Sequence, residues 1–233
     1  MTKNKLERFA EMKTFPNVIE PKFSEIFNKD HKFKGKWKSA FFGNNQPLIL
    51  ELGCGKGEYT VNLAKHDPGS NYLGIDIKGA RMWKGAKTAV RDNIQNAGFL
   101  RTRIDFINSF FDANEVDAVW VTFPDPQPKK AKKRLISSRF LNWYSKFLRP
   151  NAMIHLKTDN ADLFDYMKLV IEKNDLPIIN LSEDVHSSTD ENMKIVRDIQ
   201  TFYEQQFVEM GKKIKYVCFQ LNPSKTLEEP YEE

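Results

Sequence analysis

The residues best suited to chemistry stand at the ends of apolar runs. Glu51-Leu52-Gly53-Cys54-Gly55-Lys56-Gly57 follows Pro47-Leu48-Ile49-Leu50, and a helical pattern begins at Glu58. A strand that feeds a glycine-spaced turn and then a helix lets backbone approach a ligand closely, because glycine has no Cβ and tolerates positive φ. The spacing is G-x-G-x-G, not the G-x-G-x-x-G of dinucleotide sites. Acceptor side chains close the successive runs: Glu51, Asp76 after Tyr72-Leu73-Gly74-Ile75, Asn108, Asp125, and Thr158-Asp159. Any one of these alone reads equally well as a helix cap or loop residue. Strand ends that all carry acceptors outline a ligand crevice.

The residue types suggest what that ligand is. A carboxylate at Asp76 can accept two ribose hydroxyls, and it disfavours a 2′-phosphate. Asn108 suits an adenine edge. The loop of Gly53, Gly55 and Gly57 turns backbone N–H groups near a helix start toward an anionic group. A nucleoside without a pyrophosphate fits this set, and S-adenosyl-L-methionine is the commonest cofactor of that kind. Cys54 reads as a small residue in a tight turn rather than a nucleophile.

The second chemical feature is Phe123-Pro124-Asp125-Pro126-Gln127-Pro128 with Lys129, Lys130, Lys132, Lys133 and Arg134 close behind. The prolines hold the chain extended and fix Asp125 just past an apolar strand. Clustered lysines repel one another, so a basic run beside a carboxylate suits a polyanion brought to a chemical centre better than a purely structural turn.

The elements that must position these groups alternate along the chain. Strands are expected at Leu48–Leu52, Tyr72–Ile75, Arg103–Ile107, Ala118–Phe123, Met153–Lys157, Ile178–Leu181 and Lys215–Leu221. Helices are expected at Glu58–Lys65, Gly79–Asn96 (with Gly98 at its C-cap), Ser138–Leu148 and Asn160–Lys173. Such alternation implies an α/β, Rossmann-like doubly wound sheet, mostly parallel, with an antiparallel edge strand. Residues 1–46 form a basic and aromatic extension expected to pack through its aromatics. Residues 47–222 form the main domain, and the acidic stretch 223–233 is expected to be disordered.

The 233 residues carry a net charge of +5, 40% hydrophobic and 29% charged side chains, and two cysteines. No apolar run is long enough to span a bilayer and the N-terminus lacks a signal-peptide core, so the reading is cytoplasmic with no membrane partner. His31, His66, His155 and His186 show no ligand spacing, and no metal is expected. The sequence suggests no obligate protein partner.

With these residues in hand, the chain resembles the bacterial tRNA (guanine-N7-)-methyltransferases over nearly its full length. The resemblance rests on Lys34-Gly35-Lys36-Trp37, the Glu51–Gly57 loop, Gly74-Ile75-Asp76, the Phe-Pro-Asp-Pro loop with its lysines, Lys157-Thr158-Asp159-Asn160 with Leu163-Phe164, and Thr201-Phe202-Tyr203-Glu204. It implies S-adenosyl-L-methionine contacts at Glu51, Asp76, Asn108 and Asp125, with Asp125 also the active-site residue. It further implies tRNA contacts at Lys129, Asp159, Thr201, Phe202, Tyr203 and Glu204, and a guanine at position 46 of the variable loop as substrate. Two positions depart from the family: Gln127 stands where tryptophan is usual, and Asp76 where glutamate is usual. A methyltransferase acting on another RNA or a small molecule, a metal-dependent nuclease using Asp125, Asp159 and Glu204, and a non-catalytic RNA-binding relative stay open at this point.

Overall fold

The computed structural model describes residues 4–222 and 225–231. Residues 1–3 of the expected extension, and 223–224 and 232–233 of the expected tail, lie outside the described residues. The chain divides into two compact units, Met1–Val116 and Asp117–Glu233.

The first unit runs α1 (Lys5–Met12), β1 (Val18–Ile19), α2 (Phe23–Ile26), β2 (Leu48–Leu52), α3 (Glu58–His66), β3 (Asn71–Asp76), α4 (Gly79–Arg91) and β4 (Ala97–Arg101). The second runs β5 (Val116–Thr122), α5 (Ser138–Tyr144), β6 (Leu148–Thr158), α6 (Ala161–Lys173), β7 (Ile178–Ser182), α7 (Lys194–Asp198), α8 (Phe202–Glu209) and β8 (Lys215–Leu221). The strands form an eight-stranded doubly wound sheet, to which the first unit gives the order β1-β4-β3-β2 and the second β5-β6-β8-β7. In the first unit β1, β2, β3 and β4 pair in parallel. In the second, β8 runs antiparallel to both β6 and β7, which makes the antiparallel edge. Strands buried on both faces read as continuous apolar runs, and Leu48, Leu50, Leu52, Leu73, Ile75, Phe99 and Leu100 are all fully buried.

The extension is part of this framework. Asn4 and Glu7 close a reciprocal capping box at the start of α1. Glu11 on α1 then accepts from Trp83 Nε1 at 2.6 Å and pairs with Lys87 at 3.0 Å, both on α4. Trp37 is completely buried, and its indole N–H donates to the Phe110 carbonyl at 2.7 Å. Glu115 accepts from the backbone N–H groups of Gly35, Trp37 and Asp112.

Three expectations are corrected. The helix expected to reach Asn96 stops at Arg91, because Asn93 turns into the left-handed region at φ 52°. Ala97-Gly98 therefore does not cap a helix but opens β4, where Gly98 leaves room for the Phe41 ring and Leu73. The strand expected at Arg103–Ile107 is instead a 3-10 helix, Ile104–Ser109. The acidic tail is held where it is described: Asn142 exchanges two hydrogen bonds with the Leu227 backbone, Asn174 does the same with Glu228, and Leu227 is buried. Side-chain amides that copy a backbone pairing supply the contacts that charge composition cannot reveal.

Candidate functional site

The glycine loop is built by contacts on both of its sides. Gly53 N and Cys54 N both donate to the Ile75 carbonyl, at 2.8 and 3.1 Å, which carries the β2–β3 pairing past the strand end. Gly57 adopts φ 69° directly before α3. A Cβ there would lie 2.5 Å from the Phe99 ring, so a side chain is excluded twice, by conformation and by space. On α4, a Cβ on Gly85 would lie 2.7 Å from the Lys56 carbonyl and 2.8 Å from Gly57 Cα. Helix α4 thus rests on the loop backbone itself.

The two acids of this loop do different work. Glu51 is buried, and its Oε2 accepts from both the backbone N–H (2.8 Å) and the hydroxyl of Thr60, in the first turn of α3. A carboxylate there satisfies a helix-start donor and complements the helix dipole. Asp76 is half-buried and binds the two loops that flank it: Oδ2 accepts from Gly55 N at 2.9 Å and Oδ1 from Lys78 N at 2.7 Å. Each oxygen keeps a lone pair for a further donor. Burial, together with the charges of Glu51 and Asp76, pushes the Cys54 thiol well above its ordinary value, which disfavours the nucleophilic thiolate. Asn108 sits in the 3-10 turn after β4, and its Oδ1 is buried with no hydrogen-bond partner among the described residues. A buried acceptor without a donor is costly.

In the second unit, the loop after β5 is fixed at both ends. Phe123 N donates to the Lys157 carbonyl at 2.8 Å, and Phe123 and Gln127 both lie at positive φ, 47° and 45°. For a bulky residue such as Phe123 that conformation is strained and must be imposed by its surroundings. Asp125 is exposed, and its Oδ1 accepts from Gln127 N at 3.1 Å in an Asx turn. Lys129, Lys130, Lys132 and Lys133 are exposed as expected of a phosphate-seeking patch. Arg134 is not part of it. It is buried, donates from Nε to the Pro126 carbonyl at 3.0 Å, and stacks 4.2 Å over the Tyr166 ring.

Asp159 follows β6 and pairs with Lys212 at 2.6 Å. Thr201 caps α8 by accepting from Glu204 N at 3.1 Å. Phe202 and Tyr203 are exposed, edge to face at 5.9 Å. Glu204, expected as a tRNA contact, is wholly enclosed. Its Oε1 receives Lys157 Nζ at 2.7 Å and lies 3.0 Å from His186 Nε2. Lys157 is likewise fully buried, and also donates to the Val196 and Ile199 carbonyls at 2.5 and 2.9 Å. Burial pulls the Lys157 ammonium below its usual value, and Glu204 pulls it back up. Sequence reasoning gave neither Lys157 nor His186 a role; the available signal was an ionisable residue directly after the apolar Leu156 of an expected strand.

The first unit therefore gathers Glu51, the glycines, Asp76 and Asn108 around the ends of β2, β3 and β4. The second gathers Asp159, Thr201 and the Phe202–Tyr203 pair around the end of β6, with Asp125 and the lysines after β5. Among the described residues no His, Cys, Asp and Glu group is disposed to hold a metal, and no helix is long and apolar enough to cross a membrane.

Fold and strand-end chemistry together define a methyltransferase of the doubly wound α/β class. The chain shares its fold with a 30S ribosomal A1408 methyltransferase from an uncultured bacterium (TM-score 0.56, 16% identity, 76% of this chain and 89% of that one). It shares it also with the 16S rRNA methyltransferase KamB (TM-score 0.57, 13% identity, with the same coverages, 76% and 89%). A family model described as "Putative methyltransferase" matches residues 45–217. The tRNA (guanine-N(7)-)-methyltransferase of Bacteroides thetaiotaomicron is 47% identical over 230 residues, covering 99% of this chain and 90% of that protein. The protein of the same name from Christiangramia forsetii is 45% identical over 222 residues, covering 94% and 99%. The chain belongs to the tRNA (guanine-N(7)-)-methyltransferase family.

Proposed function

We propose that this protein uses S-adenosyl-L-methionine to methylate N7 of a guanine in tRNA, at position 46 of the variable loop. One observation carries the reading furthest: an exposed carboxylate, Asp125, is held by its own turn directly ahead of the exposed lysines 129, 130, 132 and 133. Full-length likeness to relatives of that name supports it.

The residues of the first unit fit the cofactor. Asp76 would accept the ribose hydroxyls with the lone pairs its two backbone contacts leave. Asn108 Oδ1, buried and unpartnered, would accept from the adenine amino group. The Gly53–Gly57 loop would let the ligand approach the backbone closely, but its N–H groups at Gly53, Cys54, Gly55 and Gly57 are already given to Ile75, Asp76 and Cys54 rather than left for an anion. Glu51 would act at one remove by holding the start of α3. When bound, the cofactor supplies a methyl group already activated by a sulfonium.

Guanine N7 carries a lone pair and no proton, so no general base is required. The task of this chain is alignment and charge. As N7 is alkylated the purine becomes cationic, and the Asp125 carboxylate would stabilise that charge or read the N1–H and amino edge. Lys129 and its neighbours would hold phosphates, and Phe202 and Tyr203 would offer stacking faces. The test is transfer of labelled methyl to unmodified tRNA transcripts carrying guanine or adenine at the variable-loop position. Incorporation with guanine alone supports the reading, and incorporation into neither transcript, with cofactor binding intact, overturns it.

A further inference from the structure

The first unit carries a second concave surface, lined by none of the glycine-loop residues. A cavity of about 640 Å³ opens between the extension and the C-terminal ends of β3 and β4. Its walls include Lys13, Lys22 and Phe23 from the extension, and Ile77, Arg103 and Phe106 from beyond the strands.

The chemistry of these walls is unusual for a surface that serves packing alone. Phe23 is 60% exposed and Ile77 49% exposed. Phe23 stacks on the 51% exposed Phe27 with centroids 4.8 Å apart, and meets Phe106 edge-on at 5.7 Å. Such aromatic faces left to water are unfavourable unless something covers them. Lys13 and Lys22 are exposed on the same wall and have no carboxylate partner among the described residues. Arg101 behind them is neutralised by Glu20 at 2.9 Å, and Arg103 is shared with Asp105 at 3.2 Å. The uncommitted charge on this wall is therefore positive.

Open aromatic faces interleaved with free cations match the two parts of an unstacked nucleotide, a π-face and a phosphate. A second copy of the chain would have to bring its own acidic patch to meet Lys13 and Lys22. RNA brings a phosphate with every base. We propose that this cavity is a second RNA-binding surface, which takes an unpaired base against Phe23 and adjoining phosphates on Lys13 and Lys22. This would make the extension part of the substrate site, and it rests on the proposal that the substrate is tRNA.

The experiment compares wild type with Lys13→Glu/Lys22→Glu, Phe23→Ala and Phe23→Trp. It measures affinity for an unmodified tRNA transcript across a salt series, and affinity for S-adenosyl-L-methionine separately without RNA. All three side chains are exposed, so melting temperatures should match wild type. The double charge reversal and Phe23→Ala should each weaken tRNA binding about tenfold, and Phe23→Trp should retain it. The double variant should also show a shallower salt slope, by about 1.4 to 1.8 in log–log terms. Cofactor affinity should stay within twofold of wild type. Unchanged tRNA affinity in both the Lys13/Lys22 and Phe23→Ala variants overturns the proposal. Loss of cofactor affinity with tRNA binding intact also overturns it and assigns the cavity to the nucleoside. A wild-type dimer that Phe23→Ala dissociates, with tRNA binding intact, overturns it in favour of contact between copies. Failure of the wild type to methylate tRNA is a separate result and bears on the function rather than on this surface.

Discussion

Lys157 Nζ and Glu204 Oε1 lie 2.7 Å apart with neither side chain exposed to solvent. The lysine is the penultimate residue of β6 and the glutamate sits in the first turn of α8. The same ammonium also takes the Val196 and Ile199 carbonyls at the C-terminal end of α7, where a cation complements the helix dipole. One buried charge therefore fixes two helices relative to a strand, and it leaves Phe202 and Tyr203, the residues just before Glu204, facing outward.

Buried pairs are often no more stabilising than apolar residues of the same size, whereas removing one partner strands the other. Lys157→Met should accordingly cost about 3–5 kcal/mol in denaturant unfolding. Lys157→Met with Glu204→Leu should recover most of that loss. If the pair serves placement, the double variant will melt near wild type yet show a raised KM for tRNA with kcat little changed. A double variant with wild-type tRNA kinetics would leave the pair a purely structural role.

Asp125 tests the chemical step. Asp125→Asn keeps the Asx-turn acceptor for Gln127 N and removes only the charge. A pre-organised charge facing a developing one is worth about 100-fold or more in kcat. The expected result is a loss of that order with KM for tRNA and cofactor nearly unchanged. Single-turnover assays would show whether the loss lies in methyl transfer itself.

The first unit should respond differently. Asp76→Ala and Asn108→Ala would remove acceptors for the cofactor, so isothermal titration should show weaker S-adenosyl-L-methionine binding. The larger effect, about 10- to 100-fold, should come from Asp76, whose hydrogen bonds are charge-assisted. Asn108→Ala should not lower the melting temperature of the ligand-free protein, because its buried Oδ1 has no donor to lose among the described residues. A clear destabilisation by Asn108→Ala would contradict that assignment.

Much of this arrangement was readable in the sequence, for local reasons. The β2–loop–α3 unit is specified by contiguous residues: an apolar run, three glycines and a helical period. The Asn4–Glu7 capping box was equally local, but it was hidden in a lysine-rich segment without clean periodicity. Ala97-Gly98 looks like a helix terminus until Phe41 and Leu73 are seen to fill the space beside Gly98. The family resemblance makes Glu204 a substrate contact, and the basic run makes Arg134 a phosphate ligand. What turns them inward is pairing with Lys157 and with the Pro126 carbonyl and Tyr166 ring, and no sequence spacing encodes those long-range contacts. The tail was judged by its charge, whereas its order comes from the side chains of Asn142 and Asn174.

His155 should give the protein an acid sensitivity of its own. Its ring stacks on Trp120 at 4.0 Å, nearly parallel, and Nδ1 lies 2.8 Å from the Tyr216 hydroxyl. Burial lowers its pKa to about 3. Between that value and the ordinary histidine range near 6.5, the unfolded chain binds a proton that the folded chain refuses. Stability is then full above pH 6.5 and falls as the pH drops toward 3, by up to several kcal/mol. Denaturant melts from pH 7 to pH 4 should show this slope, and His155→Gln should flatten it. An identical slope in the variant would move the acid sensitivity to other groups.

A chain of contacts runs from the tail to the Asp125 loop. Glu229 accepts from Ser138 Oγ at 2.9 Å and from the Tyr166 hydroxyl at 2.6 Å. The Tyr166 ring carries the Arg134 guanidinium, and Arg134 holds the Pro126 carbonyl next to Asp125. Arg134→Lys keeps the charge but loses the planar stack and the fixed Nε donor. It should reduce kcat about tenfold while leaving tRNA affinity and its salt dependence near wild type, because the side chain does not reach solvent as a phosphate ligand would. Truncation after residue 224 removes Leu227 and Glu229, and it should lower both the melting temperature and kcat. A weaker salt dependence of tRNA binding in the charge-removing variant Arg134→Gln, with kcat unchanged, would instead restore Arg134 to the phosphate patch. The two roles predict opposite patterns, so kinetics and a salt titration on Arg134→Gln separate them.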